Sequence, residues 1–221
     1  MKVYPSILSG DHQKVQEQLG LAQGFAGCTV VQIDVLDGIF ADNLTLSPFD
    51  FAGHDFGNLK LDFHLMIEEP LDAVYELKDV KSYLPVRAVI GQVEKMSHQA
   101  HFLEEVKKEE WLPGLSLNLH TPLEAVDENS WEMVKVVQLM SIEAGFQGQQ
   151  FVPMTLEKIE ELAALRLDKS LQFEILVDGG VKPELIDELK AVGADGVAVG
   201  SAIWQEKNQQ SVYKKLIQSD K

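Results

Sequence analysis

The sequence predicts an α/β fold of the (β/α)8 TIM-barrel type, on three observations. Short runs of β-branched and apolar residues alternate with helical patterns along the whole chain. Eight such runs fit into 221 residues, close to the size of one barrel. The chemically useful polar residues sit near the C-terminal ends of those runs, the end where a barrel gathers its strand tips at one mouth.

Strands are expected, in chain order, over residues 3–8, 30–34, 61–66, 86–92, 114–119, 134–140, 172–177 and 196–200. A helix over 12–25 carries Val15, Leu19 and Ala22 on one face. One over 70–77 carries Val74 and Leu77, and one over 155–165 carries Leu156, Ile159 and Ala163. The helix over 183–192 opens on Pro183 and stops at Gly193, with Leu185, Ile186, Leu189 and Val192 as its core stripe. The segment 47–58 holds two glycines and little periodicity, so it is the weakest crossover. A doubly wound open sheet is the alternative architecture. No linker, low-complexity tract or charge block divides the chain, which is expected to form one domain over 1–221.

Composition narrows the function. The chain is 45% hydrophobic with a net charge of −16, which argues against nonspecific nucleic-acid binding, since that requires Lys and Arg to neutralise phosphates. A small anion is still admissible, because backbone N–H groups bind phosphate locally. Cys28 is the sole cysteine, so neither a disulfide framework nor a thiolate zinc cluster is available. The opening Met1-Lys2-Val3-Tyr4-Pro5 has no signal-peptide core, and no apolar run reaches membrane-spanning length. A cytoplasmic protein without membrane partners is expected.

Asp34 and Asp178 are the most informative residues. Each ends an apolar run and leads into glycine, in Val30-Val31-Gln32-Ile33-Asp34-Val35-Leu36-Asp37-Gly38 and in Ile175-Leu176-Val177-Asp178-Gly179-Gly180. A third run, Leu61-Asp62-Phe63-His64-Leu65-Met66, brings a histidine to the same level. Two acids at strand ends can work on opposite faces of one carbon, and the acids and His64 together can hold a divalent metal. Gln32 stands where a second histidine would complete that metal site. Ser6, Gln92, Asn118 and Met140 also fall near strand ends.

At these residues the chain resembles the ribulose-phosphate 3-epimerase family, nearly end to end. The resemblance is carried by Pro5-Ser6-Ile7-Leu8-Ser9, by Ile33-Asp34-Val35-Leu36-Asp37-Gly38 with Phe40 and Asn43-Leu44-Thr45, and by His64-Leu65-Met66 with Pro70. It continues in Leu117-Asn118 with Thr121-Pro122, in Met140-Ser141 and then Gly145-Phe146-Gln147-Gly148-Gln149, and in Asp178-Gly179-Gly180-Val181 and Gly200-Ser201-Ala202-Ile203. The stretch from Asn43 to Phe49 also looks like the allulose-6-phosphate branch, which would make the substrate a hexulose phosphate. The chain departs from the family at Gln32 and Gln92, each in place of a histidine, and at Ala144 and Gln147 in the glycine-rich loop.

The resemblance implies a ketose-phosphate 3-epimerase with Asp34 and Asp178 as the proton-transfer pair. It implies metal ligation by Asp34, His64 and Asp178, with Gln32 replacing the fourth ligand and the ion being Zn, Mn, Fe or Mg. It implies substrate contacts from Ser6, His64, Met66 and Met140, with Leu36 completing an apolar cap. The phosphate falls to Gly145, Phe146, Gln147, Gly148, Gly179, Gly180, Gly200 and Ser201. A homo-oligomer is implied by family habit. An amide oxygen at position 32 is a weak, hard ligand suited to Mg or Ca rather than Zn. Three outcomes are open: a weaker or different metal, metal-free catalysis with Gln32 as a donor, or a sugar-phosphate-binding barrel with lost activity.

Overall fold

Parallel strands buried on both faces read as near-continuous apolar runs, and β2 (Val30–Leu36) is buried at every residue. The computed structural model describes residues 1–218. It begins with β1 (Lys2–Ile7) and α1 (His12–Gln23), whose N-cap Asp11 accepts from the backbone of Gln13 and Lys14. After β2 come β3 (Lys60–Met66), α2 (Pro70–Val80), β4 (Val86–Gln92) and α3 (Gln99–Lys108). Next are β5 (Leu112–Leu117), β6 (Val136–Met140), α4 (Thr155–Asp168), β7 (Glu174–Asp178), α5 (Ile186–Ala191) and β8 (Gly196–Val199). The short α6 (Ser201–Trp204) and α7 (Gln209–Gln218) end the described chain.

The eight strands pair in sequence order and β8 returns to β1, so the sheet is a closed parallel barrel and the open-sheet alternative is excluded. Alternate residues of each strand face outward to the helices, as Val31, Ile33 and Val35 of β2 do within the main core. The inward residues form layers. A middle layer of Tyr4, Val30, Ala88, Ile90, Val136 and Leu176 is apolar. Below it lies an ionic plug, in which Arg87 Nε donates to the fully buried Asp62 at 2.7 Å and Tyr4 Oη donates to Glu174 at 2.8 Å. Burial pushes the Asp62 carboxyl up, and the Arg87 guanidinium opposes that. Above the apolar layer lies a polar ring that includes Gln32, His64, Gln92, Ser116 and Gln138, all fully buried.

The register positions the ring. Asp34 pairs with His64 across β2 and β3, and Met140 pairs with Asp178 across β6 and β7. Both acids therefore reach the same end of the barrel, on opposite sides.

Several elements differ from the sequence expectation. The segment 47–58 holds a 3-10 helix, Pro48–Gly53, stabilised by Asp50 accepting from the Ser47 backbone and by Phe51 buried edge-on against Phe63. Pro183–Leu185 forms a 3-10 turn ahead of α5, so the helix there begins later than expected. Between β5 and β6 the described chain has only 3-10 turns, Leu123–Ala125 and Glu128–Ser130. β5 starts two residues earlier than expected, pairing from Leu112 with Ala88 of β4, and it accommodates Pro113 near its entry.

Replacing Arg87 with Met leaves the Asp62 charge buried without its partner, a loss of about 3–5 kcal/mol. Urea denaturation of Arg87→Met should show that loss, and the double variant Asp62→Leu/Arg87→Met should recover most of it. Equal stability of Arg87→Met and wild type would dismiss the plug as a stabilising element.

Candidate active site

The polar ring is organised by one amide. Gln32 Nε2 donates both its hydrogens to carboxylates, to Asp34 Oδ1 at 2.8 Å and to Asp178 Oδ2 at 2.6 Å. The two acids thus converge on a single nitrogen at the barrel mouth. Ser6 Oγ donates to the other Asp34 oxygen at 2.5 Å. Gln138 Nε2 lies 2.9 Å from Asp178 Oδ2, to which it donates, and 3.0 Å from His64 Nδ1, to which it donates when the ring is neutral. His64 Nδ1 is itself 3.3 Å from Asp34 Oδ1 and 3.5 Å from Asp178 Oδ2.

His64 Nε2 faces Gln92 on the far side of the ring. With the Gln92 amide oriented by its neighbours, Oε1 accepts from His64 Nε2 at 3.0 Å while Nε2 donates to the Ser116 carbonyl at 3.1 Å and to Glu94 at 2.9 Å. Burial works against the His64 imidazolium, but its hydrogen bonds to Asp178 and Asp34 outweigh that and push its pKa up to about 9. Burial, reinforced by the charge of Asp34, pushes Asp178 above the usual carboxylate range, with His64 opposing. The site therefore starts with a proton to share among its members.

Asp34, His64 and Asp178 each offer one ligand atom, all within 4.8 Å of one another. Ligands of a tetrahedral ion with bonds of about 2.0–2.1 Å stand roughly 3.3 Å apart, and the His64–Asp34 and His64–Asp178 separations of 3.3 and 3.5 Å match that spacing. Gln32 Oε1 is buried with no hydrogen-bond partner. The donor set fits a divalent cation.

A pocket opens above the acids. Its walls include Ser6, Asp34, Met66, Met140 and Asp178 on one side and the stretch Gly145-Phe146-Gln147-Gly148 with Gly179, Gly180, Gly200 and Ser201 on the other. The residues expected to touch substrate thus surround one cavity, with two exceptions. His64 lies beneath the acids and does not line it, and Leu36 is buried away from it. Among the described residues no Lys or Arg side chain lines this pocket. Gly180 has φ +63°, and a Cβ there would stand 2.3 Å from the Phe151 nitrogen, so only glycine lets the two loops approach. Asn43 Nδ2 donates to the Gly145 carbonyl at 2.7 Å, tying the loop after β2 to the loop after β6.

Three residues at this end of the barrel carried no sequence expectation. Gln138 belongs to the ring, and its one signal is being polar inside the apolar run of β6. Asp37 accepts from the backbone of Ile39, Phe40 and Glu68, and so clips the loops after β2 and β3 together. Partial burial pushes its pKa up, but those backbone donors hold it below the usual aspartate range. Lys158 Nζ donates to the Asn118 carbonyl at 2.7 Å, while the Asn118 N–H donates to Glu94.

A closed parallel barrel with buried opposed acids under a glycine-walled mouth defines a (β/α)8-barrel enzyme whose site opens at the strand C-termini. The pattern of the Ribulose-phosphate 3 epimerase family matches residues 2–204. The chain belongs to that family of isomerases. It is 36% identical over 225 residues to the ribulose-phosphate 3-epimerase of Escherichia coli, covering 98% of this chain and 94% of that one. It is 31% identical to the Bacillus subtilis protein of the same name, covering 98% of each. Among solved structures, a tryptophan synthase α-subunit variant from Pyrococcus furiosus superposes with a TM-score of 0.66 at 18% identity, over 97% of this chain and 96% of that one, which attests the fold alone. No helix among the described residues is long and apolar enough to cross a membrane.

Burial lowers the Lys158 pKa to about 8, against the pull of Glu94 and Glu161. Between about pH 8 and the ordinary lysine value of 10.5, the unfolded chain then holds a proton that the folded chain has lost. Stability contributed by this group rises with pH through that window. The stability of wild type relative to Lys158→Met, read from urea midpoints, should therefore increase between about pH 7.5 and 10. A difference that stays flat with pH would contradict the lowered pKa.

Proposed function

We propose that the protein interconverts ribulose 5-phosphate and xylulose 5-phosphate by moving the proton at C3. The observation that carries this is the convergence of Asp34 and Asp178 on one amide nitrogen beneath a pocket that has no cationic side chain among its described walls. Epimerisation next to a carbonyl removes a proton from one face of the carbon and returns one to the other. Two acid–base groups on opposite sides of one carbon meet that requirement.

Burial and the charge of Asp34 push the Asp178 carboxyl up; one acid removes the C3 proton and the other returns one on the opposite face. The roles exchange with the direction of reaction. Ser6, by donating to Asp34 Oδ2, fixes that carboxylate's orientation. Met66 and Met140 pack against the reacting carbon and keep water from the enediolate. Gly145 to Gly148, Gly179, Gly180, Gly200 and Ser201 bind the phosphate through backbone N–H groups, which suits a pocket without lysine or arginine walls. A divalent cation held by Asp34, His64 and Asp178 would polarise the ketose carbonyl and offset the charge of the two acids.

The test is exchange in deuterated water. Ribulose 5-phosphate should acquire solvent deuterium at C3, seen by mass spectrometry, as xylulose 5-phosphate accumulates. Asp34→Asn and Asp178→Asn should each slow this by roughly 10²–10⁴-fold with unchanged circular dichroism. Allulose 6-phosphate run alongside decides between pentulose and hexulose substrates. Retention of protium at C3 in every ketose phosphate would sink the enzyme reading, and full exchange in either variant would sink the two-acid mechanism.

A further inference from the structure

We propose that Gln138 is a positioning residue of the acid pair whose amide competes with a divalent cation for a lone pair on Asp178 Oδ2.

The geometry leaves that amide little choice. Gln138 is fully buried on β6, so no water substitutes for its partners. Its Nε2 donates to Asp178 Oδ2 at 2.9 Å and stands 3.0 Å from His64 Nδ1. Turned over, the amide would set Oε1 against the carboxylate oxygen, two acceptors facing each other. The observed orientation leaves Gln138 Oε1 buried with no hydrogen-bond partner. A buried polar atom without a partner is unfavourable, and an apolar side chain of the same length would avoid it. What the amide provides in exchange is a donor aimed at Asp178.

Gln32 repeats the pattern from the opposite strand. Its Nε2 serves Asp34 and Asp178, and its Oε1 is likewise buried and unpartnered. The two glutamines together direct three N–H donors at the two carboxylates of the candidate cation site. Those hydrogen bonds hold the carboxylates close without an ion. They also occupy the lone pairs an ion needs. Cation entry therefore requires the Gln138 amide to leave Asp178 Oδ2 and the Gln32 amide to turn so that its unpartnered Oε1 faces the ion. A neutral amide oxygen is a weak, hard ligand, so the bound ion is loosely held and exchangeable.

This inference rests on the reading of Asp34 and Asp178 as the acid–base pair, but its test reads cation affinity directly. Chelator-treated wild type and Gln138→Met are titrated with Mn2+ and with Zn2+ by calorimetry. Methionine keeps the unbranched length and removes the donors. Gln138→Met should bind Mn2+ tighter by about tenfold or more, the worth of the one hydrogen bond to a charged group that cation entry no longer has to break. The same variant, kept free of metal, should exchange C3 protons more slowly than metal-free wild type. A purely structural role would weaken both properties together. In 13C,15N-labelled wild type, the Gln138 side-chain amide resonances, assigned by through-bond correlation to the backbone, should shift when Zn2+ is added. Equal or weaker Mn2+ binding by Gln138→Met would overturn the proposal. Should that variant not fold, amide resonances that stay in place under saturating Zn2+ would overturn it instead. A variant with tighter cation binding in a protein inactive on every ketose phosphate supports the role of Gln138 and counts against the epimerase reading alone.

Discussion

Two carboxylates share one small buried volume at the barrel mouth, and their mutual repulsion is the constraint the surrounding residues answer. Like charges at such separations repel strongly where water is excluded. Gln32 answers by donating to both acids, Ser6 by donating to Asp34, and Gln138 by donating to Asp178. His64 adds a shareable proton between them. Remove these donors and the acids would be driven apart or fully protonated. Either change would leave no matched pair across a substrate carbon.

The barrel makes the arrangement tolerable. A ring of buried amides is an unfavourable core for any protein, since two of its oxygens lack partners. Here the ring rests on an apolar layer, with an ionic plug below it closing the far end. The main apolar core lies outside the strands, between sheet and helices, where Leu19, Val74, Leu77, Phe102 and Ile159 are fully buried. Stability therefore comes from the outer layer, and the inner one is free to carry chemistry. The division of labour arises from strand geometry, because successive side chains of one strand serve different layers.

The same geometry explains what was legible in the sequence. The strands were readable because both faces of each are buried, so that runs such as Val30 to Leu36 hardly alternate. Asp34, Asp178 and His64 were readable because each breaks such a run next to a recognisable motif. Gln138 breaks a run too, yet a lone glutamine in β6 has no direction until the barrel closes, pairs it with Leu176 and brings its amide up to Asp178. The helix over Gln99–Lys108 buries Phe102, Leu103 and Val106, a stripe too narrow among its charged residues to stand out. The crossover from β5 to β6 was not readable as 3-10 turns, because Thr121-Pro122 signals a break without fixing the conformation of the residues beyond it. Asp37 and Lys158 act through backbone groups of distant loops, and such partners leave no trace in residue spacing.

The proposed phosphate grip obeys a different logic from the acid pair. A chain of net charge −16 repels a sugar phosphate at long range, but that repulsion is screened within about 8–10 Å at physiological salt. Binding is then decided by what the anion meets inside the mouth. A lysine reaching into the pocket would attract phosphate, and it would equally attract Asp34 and Asp178, which open into the same cavity. Backbone N–H groups avoid that conflict, since they are fixed by the fold and cannot swing to the acids. The requirement then passes to the loops, which must approach closely enough to present them. Gly180, whose missing Cβ leaves room for the Phe151 backbone, meets that requirement. Keeping cationic side chains out of the mouth thus serves both halves of the site, and it ties the glycines of the loops to the protonation of the acids beneath them.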